Sequence, residues 1–585
     1  MNMKNSLVMT GGEAIAKALS LCDSEIMFGI GGFQLIRFYD ALHRRGNTHP
    51  RHILVNDERS GVFAADAYAR VTGKPGLCDA TLGPGATNLV TGLVEACTAG
   101  TPIVAFVGDS NRNHCGKNMT QETRQREVLS PIVKEFISVE RGHRIPELVR
   151  RAFVAATGGR PGPVVVSLPE DVAHGEWEYS EEDFYADPSS LAFPSHRIRP
   201  DVKAVEKAAA LIDGSSRPVI LAGGGIHLSH AYPELQDFAE KLGIPVAYTL
   251  TGKGCMPCSH PLCIHLFGRF DRFANEFIKK SDLIIAVGFK FGEIATNRYT
   301  LIPESAKVIQ MEISAEEIGK HQRVDVGLWA DCKAGLACLL EEADGAEGQR
   351  KRREVYVREV QEAKRLWLQE NLPKITTGER PINMARLCHE LSGIMPEKSV
   401  LVADGGFAAH WTGLFYDVPA AGRTYVANRG NASIGYGLPG GIGAQLGSGT
   451  LPVVAITGDQ GCNMSLGDLE TAIREKVPVT IVVINNAASG YVKSGQHTLF
   501  QGRYQSSTLH EMNYAEIARV MGAQSERVDE PERLSGVLRE AIEDRSGPFV
   551  VDVVVTRDPA RMLPGVDSRS QAPPSSPRDP EQKGQ

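Results

Sequence analysis

Residues 453–486 constrain the fold more than any other stretch of this 585-residue chain. An apolar run, Val453-Val454-Ala455-Ile456-Thr457, ends in Gly458-Asp459-Gln460-Gly461 and passes into a helical stretch. A second apolar run follows, from Val479 to Ile484, and ends in Asn485-Asn486. Short β-rich runs that alternate with helical stretches call for a parallel sheet, because parallel strands need crossover connections. In such a sheet both strand exits open on one edge, where ligands bind. A carboxylate oxygen and an amide oxygen there suit a hard cation. Glycines beside a helix start let backbone N–H groups approach a phosphate. Mg²⁺ favours few protein oxygens together with phosphate oxygens and water. The segment therefore reads as a magnesium-bridged diphosphate site, with Asp459 and Asn486 as ligands.

The same strand–turn–helix logic recurs near the N-terminus. A β-strand reads as ending in Glu58, followed by a helix of small residues. Then Ala80-Thr81-Leu82-Gly83-Pro84-Gly85-Ala86-Thr87-Asn88 enters another helix through glycines. The fold class expected is α/β, with three doubly wound parallel-sheet domains. Their expected bounds are 1–173, 196–345 and 378–560. Gly162-Pro163-Val164-Val165-Val166 and Gly547-Pro548-Phe549-Val550-Val551 close the first and third alike, so these two read as related units. Residues 174–198 read as a polar linker, 347–371 as a solvated connecting helix, and 561–585 as a compositionally disordered tail.

Bulk properties exclude several classes. A formal charge of −7 with 23% charged residues leaves no nucleic-acid footprint. No apolar run is long enough to span a bilayer. The N-terminus lacks a signal-peptide core, so a cytoplasmic protein is expected. Eleven scattered cysteines do not form a secreted disulfide framework. Cys255-Met256-Pro257-Cys258 reads as a loop rather than a zinc site, since no second pair lies at zinc-site spacing.

The Gly-Asp start followed at this distance by Asn-Asn resembles the thiamin-diphosphate-binding signature, with Gln460 where the usual third residue is glycine. Over about residues 5–560 the chain is similar to the acetolactate synthase (acetohydroxyacid synthase) family. The matching pieces are Phe28-Gly29-Ile30-Gly31-Gly32, Thr87-Asn88-Leu89-Val90-Thr91-Gly92, Gln121-Glu122, Ile434-Gly435-Tyr436-Gly437-Leu438-Pro439 and the two cofactor motifs.

That resemblance implies residue roles. Glu58 is the catalytic acid that meets N1′ of the aminopyrimidine, and Gln121 faces the reacting intermediate. Gly31, Pro84, Asn88, Gly406, Gly458, Gln460, Gly461, Gly490 and Tyr491 line the cofactor. Ala432 and Ile434 bind the pyrimidine through their backbones, and the Ile434 side chain bends the cofactor into a V. The carbonyl of Ala488 joins Asp459 and Asn486 around Mg²⁺. The implied activity is a decarboxylating carboligation, in which a 2-oxoacid donor passes through an enamine to a carbonyl acceptor and gives a 2-hydroxyketone. A non-oxidative 2-oxoacid decarboxylase or C–C lyase on the same scaffold is the alternative. A non-catalytic cofactor-binding protein is the reading from another class. The family's active sites lie between subunits, which implies a homodimer or homotetramer.

The middle domain's counterpart in the family binds FAD. Gly223, Gly224, Gly225, Thr249, Leu250, Gly268, Gly288, Lys290, Glu312 and Ile313 fall at that site. An FAD site and a plain strand-to-helix turn both remain open for the triple glycine. The site is half retained, since Lys290-Phe291-Gly292-Glu293-Ile294 stands where the family has Arg-Phe-Asp-Asp-Arg. Elsewhere Gly29-Ile30 replaces a Tyr-Pro pair, Thr120 a Phe, Phe407-Ala408 a Gln-His pair, and Gly490-Tyr491-Val492-Lys493-Ser494-Gly495 a Gly-Met-Val-x-Gln-Trp run.

Overall fold

The computed structural model describes residues 6–565, apart from 48 and 344–345. Three six-stranded sheets, each parallel throughout, follow one another along the chain. The first runs Arg51–Leu54, Ile26–Gly29, Gly76–Ala80, Ile103–Asp109, Pro163–Pro169, Glu135–Ser138 across the sheet. The third runs Tyr425–Ala427, Val400–Ala403, Val453–Gly458, Thr480–Asn485, Phe549–Val554, Gln524–Val528. Counted along each domain, both have the strand order 2-1-3-4-6-5. The shared order bears out the related-unit reading drawn from their similar closing strands. The middle sheet has the order 3-2-1-4-5-6, the dinucleotide-binding arrangement. Its strands are Cys263–Leu266, Val246–Tyr248, Pro218–Ala222, Leu283–Val287, Lys307–Glu312 and Val326–Trp329.

Central strands such as Val164-Val165-Val166 and Val482-Val483-Ile484 are fully buried, as helices on both faces require. The connecting helix is present as Glu354–Ile375. Two readings need correction. Residues 174–198 are not merely a linker: Glu176–Ser180 pairs antiparallel with Ser6–Thr10, because alternation at Trp177 and Tyr179 gives that strand an apolar face. The strand before Glu58 ends at Leu54, and Glu58 is the first residue of the helix Glu58–Thr72, whose N-cap is Asp57. Within the tail, Met562 is fully buried and its carbonyl accepts the Trp411 indole N–H at 2.9 Å. Residues 566–585 lie outside the described residues.

The first and third domains meet through two helices, Glu58–Thr72 and Gly437–Ser448. Their backbones touch: a Cβ on Gly443 would stand 2.0 Å from the Ala64 carbonyl oxygen. Beside this seam lies a buried ionic cluster. Arg70 donates to Asp66 (3.1 Å), Glu95 (3.0 Å) and the Ala427 carbonyl (2.9 Å). The Tyr436 hydroxyl donates to Asp66 at 2.6 Å. Every charge in the set has a partner, which a dry interior demands.

Candidate functional site

The site is best built from the third sheet outward. Its strand order reverses between Val400–Ala403 and Val453–Gly458, which opens a crevice at their C-terminal ends. Asp459 opens the helix Asp459–Ser465 and is 3% exposed. One carboxylate oxygen accepts the Gln460 N–H at 2.7 Å, and the other accepts the Asn486 N–H at 3.1 Å. The N–H groups of Ala487 and Ala488 also point at it. Burial raises the Asp459 pKa above its ordinary value, while these N–H groups pull it back. Asn486 is buried, and its side-chain oxygen accepts the Ala488 N–H at 3.1 Å. Backbone hydrogen bonds thus hold the Asp459 carboxylate and the Asn486 amide against the loop 486–488. Ala487 takes a left-handed conformation (φ +52°), the local strain that lets the loop close.

The two asparagines divide their labour. Asn485 donates to the Met512 carbonyl and to Asp552, so it ties the strand to its neighbours. Gln460 is accommodated because the glycine requirement falls on Gly461, where a Cβ would meet Asp404 Oδ2 at 2.3 Å. Gly490 is needed for a similar reason, since a Cβ there would stand 2.9 Å from the Asn486 amide nitrogen.

Ile434 sits half-buried on a turn between Ala432 (φ +56°) and Gly435 (φ +92°). The turn packs under Gly405 and Gly406. A Cβ on Gly405 would be 2.5 Å from the Ala432 carbonyl, and one on Gly406 3.8 Å from Ile434 Cγ2. Two residues that the sequence reading missed hold this turn. Asp404 accepts from the N–H groups of Gly435 (3.1 Å) and Tyr436 (3.0 Å) and from the Thr457 hydroxyl (2.6 Å). Glu95, from the first domain, accepts from the N–H groups of Gly430 (2.8 Å), Asn431 (2.6 Å) and Ala432 (3.2 Å). Asp404 had a readable signal, an acid at a strand exit before two glycines, as at Asp459. Glu95 had none, because the turn it holds lies more than 330 residues away.

In the first domain, the Glu58 carboxylate is 7% exposed and accepts the Asn88 side-chain amide at 2.9 Å. A Cβ on Gly85 would touch Glu58 Oε1 at 3.0 Å. Gln121 is brought close as well: a Cβ on Gly83 would lie 2.3 Å from its carbonyl oxygen. Gln121 itself has a left-handed backbone (φ +68°). Gly83 (φ +66°, ψ −106°) precedes the helix Pro84–Asn88 as Gly406 (φ +65°, ψ −116°) precedes Phe407–Phe415, another echo between the related domains. Gly31 lies at the neighbouring strand exit, over the Tyr39 ring. Gly31, Pro84, Asn88 and Gln121 are all exposed in the single chain.

A cavity of about 460 Å³ opens at the strand-order reversal of the middle sheet. Of the ten residues expected there, Gly223, Gly224, Gly225, Thr249, Leu250, Gly288, Lys290, Glu312 and Ile313 line it. Gly268 does not: it packs against Ile294 and Ala295 at φ +108°. Gly223 and Gly225 have a packing reason, since a Cβ on either would strike Gly288 at 2.1 or 2.6 Å. A Cβ on Gly224 would meet Thr251 at 3.3 Å, a looser contact than at the other two. Arg160 from the first domain and His410 and Arg429 from the third complete the lining. Burial lowers the Lys290 pKa and raises that of Glu312. Tyr491 lies between the two sites, with its ring 5.6 Å from His410 and its hydroxyl 3.4 Å from Arg269.

Comparison with known proteins agrees with this geometry. Residues 9–128 match the thiamine pyrophosphate enzyme N-terminal TPP binding domain, 205–339 its central domain, and 404–553 its C-terminal TPP binding domain. The chain is 34% identical over 568 residues to a probable acetolactate synthase large subunit of Methanocaldococcus jannaschii, covering 95% of this chain and 93% of that one. It is 32% identical over 573 residues to the acetolactate synthase large subunit of Corynebacterium glutamicum, covering 96% and 89%. Three sheets in this order, two related cofactor-binding units and full-length relatives all point one way: the chain is a thiamine pyrophosphate-dependent enzyme and belongs to the acetolactate synthase family.

Proposed function

We propose that the enzyme is a Mg²⁺-dependent 2-oxoacid decarboxylating carboligase that forms a 2-hydroxyketone. The observation that carries this is the junction of Asp459, Asn486 and Ala488 beside the Ile434 turn. Its donors are hard oxygens suited to Mg²⁺ and a diphosphate. The names of the full-length relatives supply the carboligase class.

Thiamin diphosphate, when bound, supplies the electron sink for decarboxylation. The chain's own groups do the rest. Asp459, Asn486 and the Ala488 carbonyl would hold the metal. Ile434 and the backbones of Ala432 and Ile434 would support the cofactor's pyrimidine end. Glu58, kept in place by Asn88, would serve as the acid–base group toward the pyrimidine. Gln121 borders the substrate. Gly31, Pro84, Gly406, Gly458, Gln460, Gly461, Gly490 and Tyr491 complete the cofactor's surroundings. The site closes between two subunits, which makes the enzyme a homodimer or homotetramer.

The departures at Gly29-Ile30, Thr120 and Phe407-Ala408 fall around the acceptor's side of this site. The acceptor is therefore where the enzyme differs from its relatives. The test is a panel of 2-oxoacids, alone and paired with aldehydes, read by product mass spectrometry. Carbon–carbon-bonded 2-hydroxyketones are expected. Free aldehyde as the sole product would turn the reading to a simple decarboxylase, and no turnover of any donor would sink it.

The middle cavity suits a flavin or an adenine nucleotide. It lies at the strand-order reversal of a dinucleotide-type sheet, with Gly224, Arg160 and Lys290 on its wall. Acid release and chromatography of the purified protein would identify the occupant.

A further inference from the structure

Away from both sites, the loop after Thr251 folds into a buried junction between the middle and third domains. Cys258 is 2% exposed, Cys263 0% and His265 1%. Asp417, just after the helix Phe407–Phe415, is exposed and closes the group from the solvent side. A ligating atom from each of Cys258, His265 and Asp417 lies within 4.8 Å of the others. The Tyr248 hydroxyl links two of the group, standing 3.3 Å from the Cys258 sulfur and 3.4 Å from His265 Nδ1.

Several features aim these groups at one another. The strand Cys263–Leu266 carries a bulge: its register against Val246–Tyr248 slips between Val246 and Ala247, which leaves Ile264 as the extra residue. At the bulge His265 adopts φ +64°, a conformation that glycine favours. Bulges of this kind turn a side chain toward a site, and such strain persists where its surroundings enforce it. The Val418 N–H and the Tyr248 hydroxyl both approach the Cys258 sulfur at 3.3 Å, a setting that supports a thiolate. The Arg272 guanidinium donates to Asp417 at 2.7 Å and fixes that carboxylate.

We propose that Cys258, His265 and Asp417 form a site for a thiophilic divalent cation of the zinc class, pinning the middle domain to the third. One sulfur, one imidazole and one carboxylate are three donors that such a cation accepts, with a fourth position left for water. The CxxC spacing is incidental, since Cys255 is not a member of the group.

The test uses the full chain without a polyhistidine tag, purified without chelator. Metal analysis should find about one zinc per chain. Titration of the zinc-depleted protein with Co²⁺ should give a thiolate-to-cobalt charge-transfer band. Cys258→Ser should reduce zinc content and the band at least about tenfold. Cys255→Ser and Asp459→Ala should leave both unchanged, which separates this site from the CxxC pair and from the magnesium site. The wild-type measurements decide even if Cys258→Ser fails to fold. Wild-type protein with neither zinc nor a cobalt–thiolate band overturns the proposal, as does a band that survives in folded Cys258→Ser.

Discussion

Asp459 can hold a cation only when ionised, and its burial opposes ionisation. The sign of the pH effect follows. Its folded pKa lies above the ordinary 3.8, so the metal-free native state binds this proton more readily than the unfolded chain. That contribution to stability is present at low pH and is lost as pH rises through the raised pKa. Under the proposed function, Mg²⁺ at Asp459 would compete with the proton and reverse the preference. Mg²⁺ affinity should therefore fall as pH drops, beginning above the ordinary carboxylate range, as calorimetry across pH would reveal. Asp459→Ala should abolish Mg²⁺-dependent cofactor binding outright, and unchanged affinity in that variant would refute the ligand assignment. Glu58 calls for a different measurement. Glu58→Gln keeps the shape and an amide for the pyrimidine but cannot act as an acid. Cofactor binding should survive, while hydrogen–deuterium exchange at C2 of the bound thiazolium should slow by about 10²–10⁴. Exchange at the wild-type rate would reduce Glu58 to an acid that merely stabilises a helix start.

At the scale of elements, the turn that carries Ala432 and Ile434 is a suspended structure. Asp404 holds it from its own domain and Glu95 from the other. Glu95→Gln removes the charge that balances Arg70 and weakens bonds to three N–H groups. A loss of about 1–3 kcal/mol in unfolding free energy is expected, together with a raised KM for thiamin diphosphate. Unchanged values of both would show that the turn needs no such support. The same turn marks where sequence reading works and where it stops. The strand exits at Asp459, Asn486 and Asp404 are local patterns, because apolar runs, glycines and polar exits lie within a few residues of each other. The three-sheet architecture was legible for that reason. Glu95 under Ala432, and Asp417 beside Cys258 and His265, are products of packing between distant segments. No spacing in the chain announces them. The strand Glu176–Ser180 was missed for a related cause: its partner, Ser6–Thr10, is at the far end of its domain.

At the scale of the molecule, the question is which copy of Glu58 serves which copy of Asp459. Within one chain the two domains are locked by the helices Glu58–Thr72 and Gly437–Ser448, and the Glu58 carboxylate accepts a hydrogen bond from the Asn88 amide of its own domain. Gly31, Pro84, Asn88 and Gln121 stand exposed around it, as half a site awaiting cover. Exposed leucine, phenylalanine and tyrosine near the other half, at Leu499, Phe500 and Tyr504, are equally suited to burial against a partner. If each site takes its pyrimidine half from one subunit and its diphosphate half from the other, two inactive variants can complement each other. A dimer of one Glu58→Gln chain and one Asp459→Ala chain contains one site with both residues intact and one with both altered. Random mixing of equal amounts should then restore roughly a quarter of the wild-type sites, by two-fold symmetry. Sites built within a single chain would leave every mixture inactive, so activity regained on mixing, read beside sedimentation of the hybrid, tells the two arrangements apart.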